Sequence, residues 1–344
     1  MERTVIGNTG LEVFRLGFGG IPIQRVGEAQ AVETVRHAVE RGVDFIDTSR
    51  MYTTSEHRIG LALQGLRKPV IMASKTPSRT HDGVLNDLDE SLRRLRRGTI
   101  DIYQLHLVRD DADYEKAIAP GGALDALRQA RDAGKIGHIG ITTHSLDLAE
   151  RIIHEGRFET IMVCFSLLEP DAETRIFPKA REKGIGVIAM KSFSGGVIER
   201  ADLALKYALS RPDVVLIPGV EDTEKFDRNW AVFENGDYTL TDADKKDIES
   251  IRESFDKNFC RRCDYCQPCT EGISIQTVLG IPSAVKRFGP AILEKDFFAH
   301  AIKLARDCSE CEECVERCPY DLPIPELIRE NLAWLDERMS TDES

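Results

Sequence analysis

The chain has 344 residues, 42% of them hydrophobic and 30% charged, with a formal net charge of −12. That length accommodates one large domain and one small one, and the composition supports a buried core rather than disorder. The acidic balance argues against a nucleic-acid partner, which needs an excess of Lys and Arg, and is read as solubility. The opening MERTVIGNTG has no apolar run after its charges and does not read as a signal peptide. No stretch reaches the ~20 apolar residues of a membrane helix. A cytoplasmic chain without a membrane partner is expected, and there clustered Cys signal metal or redox chemistry rather than disulfides.

In chain order, strand-like runs are RLGFGG (15–20), VDFID (43–47), VIMASK (70–75), IDIYQLH (100–106), HIGIT (138–142), TIMVCF (160–165), GVIAMK (186–191) and VVLIPG (214–219). Helical patterns alternate with them: EAQAVETVRHAVERG, the shorter EHRIGLALQGL, DGVLNDLDESLRRL, GALDALRQARDAG, LDLAERIIHEG, DAETRIFPKAREKG and ADLALKYALSR. Gly closes several of them, as at a helix C-terminus. This alternation predicts a (β/α)8 barrel, with a doubly wound open sheet as the rival. GFGG at 17–20 imitates a dinucleotide fingerprint, but Pro22 occupies the third glycine's place. Residues 242–256 read as a helix capped by Thr241, with Asp244 three residues on.

In a barrel, functional groups gather at the C-terminal ends of strands. Asp47, Lys75 and His106 stand there, and Tyr52 follows Asp47 by five residues. Singly, each reads as a solvated or structural residue; together, at corresponding ends of neighbouring strands, they form a constellation. A phenol of pKa ~10 is a poor acid at neutral pH. A nearby ammonium stabilises tyrosinate and brings that pKa toward the working range. Asp47 would hold Lys75 charged, and His106 would orient a carbonyl oxygen. Such a site suits hydride delivery to a small carbonyl substrate, with the hydride coming from a cofactor.

GVDFIDTSRMYTTSEHRIG resembles the D-T-A-x-x-Y-G-x-S-E signature of the aldo-keto reductases, RTVIGNTGLEVFRLGFGG resembles their opening hairpin and first strand, and ASK and QLH match their Lys and His positions. The resemblance covers residues 3 to 256. It implies an NADPH-preferring (β/α)8 barrel that reduces aldehydes and ketones, with Asp47, Tyr52, Lys75 and His106 as catalytic tetrad. It also implies a cofactor pocket that includes Gly20 and Asp47. Thr142 and Thr143 stand where the family places Ser-Asn on the carboxamide, Met162 replaces a Gln, and Met190 replaces the aromatic stacked on nicotinamide. Pyrophosphate would lie by Ser192 and the Gly195-Gly196 loop. Farther on, Gly219-Val220 replaces a Lys-Ser pair, Lys225 takes the place of the phosphate-binding Arg, and Asn229 matches the adenine-binding Asn. NADP is the family expectation; Glu221 and Asp222 would not help a 2′-phosphate, so NAD stays open.

Eight of the nine Cys lie beyond residue 259; the ninth, Cys164, reads as a small buried hydrophobe. CRRCDYCQPC places Cys260, Cys263, Cys266 and Cys269 at two-residue intervals, and CSECEECVERCPY places Cys308, Cys311, Cys314 and Cys318 at gaps of two, two and three, followed by Pro319. The second motif matches the bacterial ferredoxin run. Zinc is the rival, but it needs two separated ligand pairs. Two [4Fe–4S] clusters are expected. Ferredoxin-type exchange gives Cys269, Cys308, Cys311 and Cys314 to one, and Cys260, Cys263, Cys266 and Cys318 to the other. The first motif's shorter last gap leaves that exchange open. The whole tail resembles that of an aldo-keto reductase subgroup carrying iron–sulfur cysteines. The expected organisation is a barrel over 1–257, a small, mainly helical iron–sulfur domain over 258–338, and a disordered tail over 339–344. The clusters leave electron exchange with a redox protein partner, a structural cap or redox sensing as their roles.

Overall fold

Two compact units divide the chain, Met1–Asp244 and Lys245–Ser344. The structure, a computed structural model, describes every residue but Asp213, Cys263, Asp264, Glu343 and Ser344, and every side chain of the rest but those of Arg287 and 339–342.

The first unit opens with an antiparallel hairpin, β1 (Arg3–Val5) and β2 (Glu12–Phe14). Eight parallel strands follow in sequence order: β3 (Phe18–Gly19), β4 (Phe45–Asp47), β5 (Ile71–Thr76), β6 (Ile100–Leu105), β7 (Ile136–Thr142), β8 (Thr160–Cys164), β9 (Gly186–Met190) and β10 (Val214–Leu216). Leu16 bridges Leu216 in parallel, Gly17 N donates to Leu216 O at 2.8 Å, and Gly19 N donates to Pro218 O at 3.0 Å. These bonds join the last strand to the first and close the barrel, which disposes of the open sheet.

The strands carry apolar runs because both faces are covered; all five residues of β8 are buried. Phe45, Ala73, Ile102, Met162, Ile188 and Val215 form the interior cluster together with Ile6 and Val13 of the hairpin. Asn8 N donates to Gly184 O just ahead of β9, so the hairpin plugs the N-terminal end of the barrel and leaves the C-terminal end to function. Each large side chain so buried contributes roughly 1.5–3 kcal/mol.

The outer helices are α1 (Glu28–Arg41), α2 (Ser55–Leu63), α3 (His81–Leu95), α4 (Asp111–Ile118), α5 (Ala123–Asp132), α6 (Leu146–Glu155), α7 (Ala172–Arg175), α8 (Phe177–Lys183), α9 (Ala201–Leu209) and α10 (Thr223–Asn235), followed by α11 (Asp242–Phe255). In α6, Ser145 accepts the Leu148 N–H and Gly156 ends the helix at φ 64°, while Leu148, Ala149, Ile152 and Ile153 turn one face inward. The single helix expected over DAETRIFPKAREKG breaks into α7 and α8, because Pro178 has no N–H for the carbonyl one turn back. The stretch after His106 also contains α4, whose start is capped by Asp110 accepting from Asp113 N. The capping box at α11 is as expected: Asp244 N donates to Thr241 Oγ1 at 3.1 Å and Thr241 N to Asp244 Oδ2 at 2.8 Å. The division between units falls inside α11 and not after residue 257.

The second unit is helical: α12 (Ile275–Leu279), α13 (Ile281–Phe288), α14 (Asp296–Ala305), α15 (Glu313–Glu316) and α16 (Ile324–Asp342). Its core joins Ile273, Ile275, Val278, Ile281, Leu322 and Ile328 to Cys266 and Cys318. α16 continues to Asp342, into the tail expected to be disordered; Glu343 and Ser344 lie outside the described residues. Among the described residues no helix is long and apolar enough to cross a membrane.

Candidate functional site

The four expected residues meet at the C-terminal end of the barrel. Asp47 ends β4, Lys75 is the penultimate residue of β5, and His106 directly follows β6. Lys75 is 1% exposed, too little for an unpaired ammonium. Its Nζ is hydrogen-bonded to Asp47 Oδ1 and donates to Thr48 O at 2.7 Å. It also lies 5.0 Å from the centroid of the Tyr52 ring and shares a hydrogen bond with that side chain. Burial alone would lower the Lys75 pKa, but the neighbouring Asp47 and then Tyr52 outweigh it and hold the ammonium above its usual value. Burial pushes the Asp47 carboxyl up, opposed by Lys75 and Gln104; facing so firmly held a cation, the pair is ionic. The His106 ring stands edge-on to Tyr52, with centroids 5.6 Å apart and planes at 84°. Burial, then the Lys75 and Arg79 cations, holds the imidazole well below its ordinary pKa and therefore neutral.

Several neighbours escaped the sequence reading. Gln104 is buried and donates from Nε2 to Asp47 Oδ2 at 3.2 Å. It stands two residues before His106, and in an extended chain that spacing puts both on one face, which was its available signal. Ser49 lies 2.8 Å from His106 Nδ1. Arg50 pairs with the buried Glu56 at 2.7 Å, and Glu56 accepts from Ser74 Oγ at 2.7 Å. That ion pair clamps the segment carrying Tyr52 onto α2 and β5.

The expected cofactor residues are less uniform. Thr142 Oγ1 accepts the Leu107 N–H at 2.7 Å and Thr143 Oγ1 the Ser145 N–H at 3.1 Å, so each hydroxyl keeps its proton to donate. Ser192 Oγ is buried and has no partner among the described residues, an arrangement costing ~1–3 kcal/mol unless something takes the hydroxyl. Beyond it Ser194, Gly195 and Gly196 all have positive φ, at 48°, 79° and 94°, in a turn where Ser194 N donates to Lys191 O at 2.6 Å and Gly196 N to Phe193 O at 2.8 Å. Met162 belongs to the barrel's interior cluster, and Met190 packs against it from the rim. Gly20 N donates to Asp47 O at 2.8 Å, and a Cβ there would meet Ser55 Oγ at 2.7 Å. At Gly219 a Cβ would meet Pro22 Cδ at 2.5 Å, so both glycines serve close packing. Asn229 is buried on α10. Lys225 is hydrogen-bonded to Glu221 and lies 3.3 Å from Asp222, so its charge is already balanced.

In the second unit Cys269, Cys308, Cys311 and Cys314 line one hollow, and Cys260, Cys266 and Cys318 line another, with Ile275 on both walls. Cys263 lies outside the described residues. The Cys314 thiol is pushed up to about 11, by burial first and then by the charges of Cys269, Cys308 and Cys311, which places all four side by side. The described cysteines form no disulfide. Among the described residues no group of three or more His, Cys, Asp or Glu is placed to hold a single metal ion. Cys164, at the end of β8, is buried as expected.

A model of the Aldo/keto reductase family matches residues 15–202, more than half of the chain and all four tetrad positions. This chain belongs to the aldo/keto reductase family. The match ends before Gly219, Lys225, Asn229 and the clustered cysteines. Aldo-keto reductase YhdN of Bacillus subtilis is 28% identical over 217 residues, 58% of this chain and 64% of that one. L-galactose dehydrogenase of Arabidopsis thaliana is 31% identical over 218 residues, 58% of this chain and 67% of that one. The matched segment thus spans less than two thirds of the first of these relatives. The holo form of aldo-keto reductase AKR11C1 from Bacillus halodurans aligns at TM-score 0.62 and 23% identity, over 73% of this chain and 96% of that one. An aldo-keto reductase from Klebsiella pneumoniae, solved in complex with NADPH, aligns at 0.61 and 21%, over 73% and 95%. At these identities the structural likeness is one of fold.

Proposed function

We propose that the barrel is a nicotinamide-dependent reductase of a small aldehyde or ketone, and that the second unit carries two [4Fe–4S] clusters. The observation that carries the first part is the buried Lys75 ammonium held between Asp47 and Tyr52. Bound NADPH or NADH would supply the hydride, which no side chain can donate. Tyr52 gives its phenolic proton to the carbonyl oxygen, and the resulting alcohol leaves a tyrosinate beside Lys75. The interaction is reciprocal: Tyr52 helps to hold Lys75 charged, and that charge favours the tyrosinate. Asp47 and Gln104 fix the ammonium, and neutral His106 orients the carbonyl.

The unpartnered Ser192 hydroxyl suits a pyrophosphate lying beside the Gly195-Gly196 turn. Thr142 and Thr143 would meet the carboxamide, Met190 the nicotinamide ring and Asn229 the adenine, with Gly20, Asp47, Met162 and Gly219 behind them. Lys225 would face a 2′-phosphate only by sharing its charge with Glu221 and Asp222. Weak discrimination between the two cofactors is therefore expected, with Lys225→Ala weakening NADPH binding by less than ~10-fold, a rim ion pair's worth. Titrations against both cofactors check this: equal losses for NADPH and NADH would mean that Lys225 does not read the phosphate.

For the clusters, the hollow among Cys269, Cys308, Cys311 and Cys314 supports one ligand set, and that among Cys260, Cys266 and Cys318 supports the other, completed by Cys263. A [4Fe–4S] cluster exchanges one electron at a time and binds each thiolate through a different iron, which suits thiols ringing a hollow better than converging on one ion. An outside redox protein would be their partner. Turnover of an aldehyde panel by anaerobically purified protein with NADPH or NADH tests the reductase. Cofactor binding with no turnover of any carbonyl would favour the second reading, an electron-transfer or redox-sensing protein on a cofactor-binding barrel, for which the solvent-exposed Cys311 is the supporting feature.

A further inference from the structure

We infer that Ser49 is a positioning residue that fixes the tautomer of His106, so that the imidazole carries its proton on Nε2 and donates from there. The family signature has Ala where this chain has Ser49, so the hydroxyl is a departure. Ser49 is 1% exposed, on the segment between Asp47 and Tyr52. Its oxygen accepts the Met51 N–H at 3.2 Å and lies 2.8 Å from His106 Nδ1 and 3.5 Å from Lys75 O. One hydroxyl proton must go to one of the last two. An O–H donor reaches its acceptor at about 2.5–3.0 Å, so the carbonyl is too far and the ring nitrogen is within reach. With Met51 already donating to the oxygen, the hydroxyl proton points at Nδ1. A nitrogen that accepts carries no proton of its own, and in a neutral imidazole the proton is then on Nε2.

The rest of the surroundings favour the same state. Lys75 from β5, Arg79 from the turn after it and Tyr52 from the segment after β4 face the ring, and two cations so placed oppose a second ring proton. Among the described residues nothing hydrogen-bonds Nε2, which leaves that N–H for a ligand. The opposite tautomer would present a lone pair to a carbonyl oxygen, also a lone-pair group, and would repel it. Ser49 thus acts through His106 on the reading proposed above, while the tautomer itself does not depend on there being any turnover.

The decisive measurement is the nitrogen NMR of His106 in the full chain, with His106→Gln used for assignment. Wild-type protein should show Nε2 as the protonated nitrogen and Nδ1 as the hydrogen-bonded acceptor. Ser49→Thr, which keeps a hydroxyl, should preserve that signature. Ser49→Ala should blur it toward a tautomer mixture and lower kcat by roughly 5- to 10-fold, the worth of one neutral hydrogen bond, with cofactor binding unmoved. In a His106→Ala background the same Ser49→Ala change should cost nothing further, since its route runs through the ring. A wild-type ring protonated on Nδ1, or a Ser49→Ala protein with an unchanged tautomer, overturns the inference. An unchanged additional loss in the His106→Ala background overturns it too, because Ser49 would then be merely structural. Failure of the reductase reading alone would leave the spectrum as expected and the rates silent.

Discussion

Tyr52→Phe is expected to lower carbonyl reduction by ~10²–10⁴-fold, the usual worth of a positioned general acid, while binding nicotinamide cofactor almost as well as the wild type. Phenylalanine keeps the ring against His106 and its face toward Lys75, the contacts observed at 5.6 Å and 5.0 Å. It removes the phenolic hydroxyl, and with it the proton and the hydrogen bond to Lys75. Lys75 keeps its bonds to Asp47 and to Thr48 O, so the ammonium is not stranded and the pocket should not collapse. The loss should therefore fall on kcat, with little change in cofactor affinity measured by fluorescence titration. Full activity of Tyr52→Phe on a carbonyl that the wild type reduces would rule out Tyr52 as the proton donor.

Anaerobically purified protein should be brown and hold about eight iron atoms per chain, because each cubane takes four thiolates and the tail offers eight. The two hollows make the assignment specific. Cys314→Ala should reduce the iron to about four atoms per chain, and so should Cys318→Ala, because these residues line different hollows. Cys269→Ala combined with Cys314→Ala should do no more than either alone, since both line the same one. Because Cys266 and Cys318 are also core residues, melting of the second unit should move with the iron content. Four irons in the wild type would mean a single cluster, and zinc without visible absorbance would remove electron transfer as a role.

The barrel was legible because apolar runs and helical patterns alternate without interruption from RLGFGG to VVLIPG, and a parallel strand buried on both faces admits little else. The tetrad was legible because chain order and strand ends together restrict which groups can meet. What stayed hidden depends on single atoms or on distant chain. Pro178 was visible as a letter, but a helical pattern continues across it, and only the missing N–H divides α7 from α8. Asp110 caps a helix that lies outside the helical patterns read from the sequence. Ser49 differs from the signature by one hydroxyl, and its partner is 57 residues away. Met162 carries no mark in the sequence to distinguish a cofactor contact from a residue of the barrel interior.

The closing seam bears on how mutational tolerance in this chain should be interpreted. At Gly19 an added Cβ would meet Ile217 O at 2.4 Å, and at Gly219 it would meet Pro22 Cδ at 2.5 Å and Gly19 O at 2.8 Å. Neither clash is with the end of a long flexible side chain, so neither is easily relieved. A saturation screen scored by cell growth would find both positions as intolerant as Tyr52, although they fail for different reasons. Tyr52→Phe should accumulate as folded, silent protein. Gly19 and Gly219 variants should be missing from the soluble fraction, so abundance scored alongside activity would separate a seam from a site.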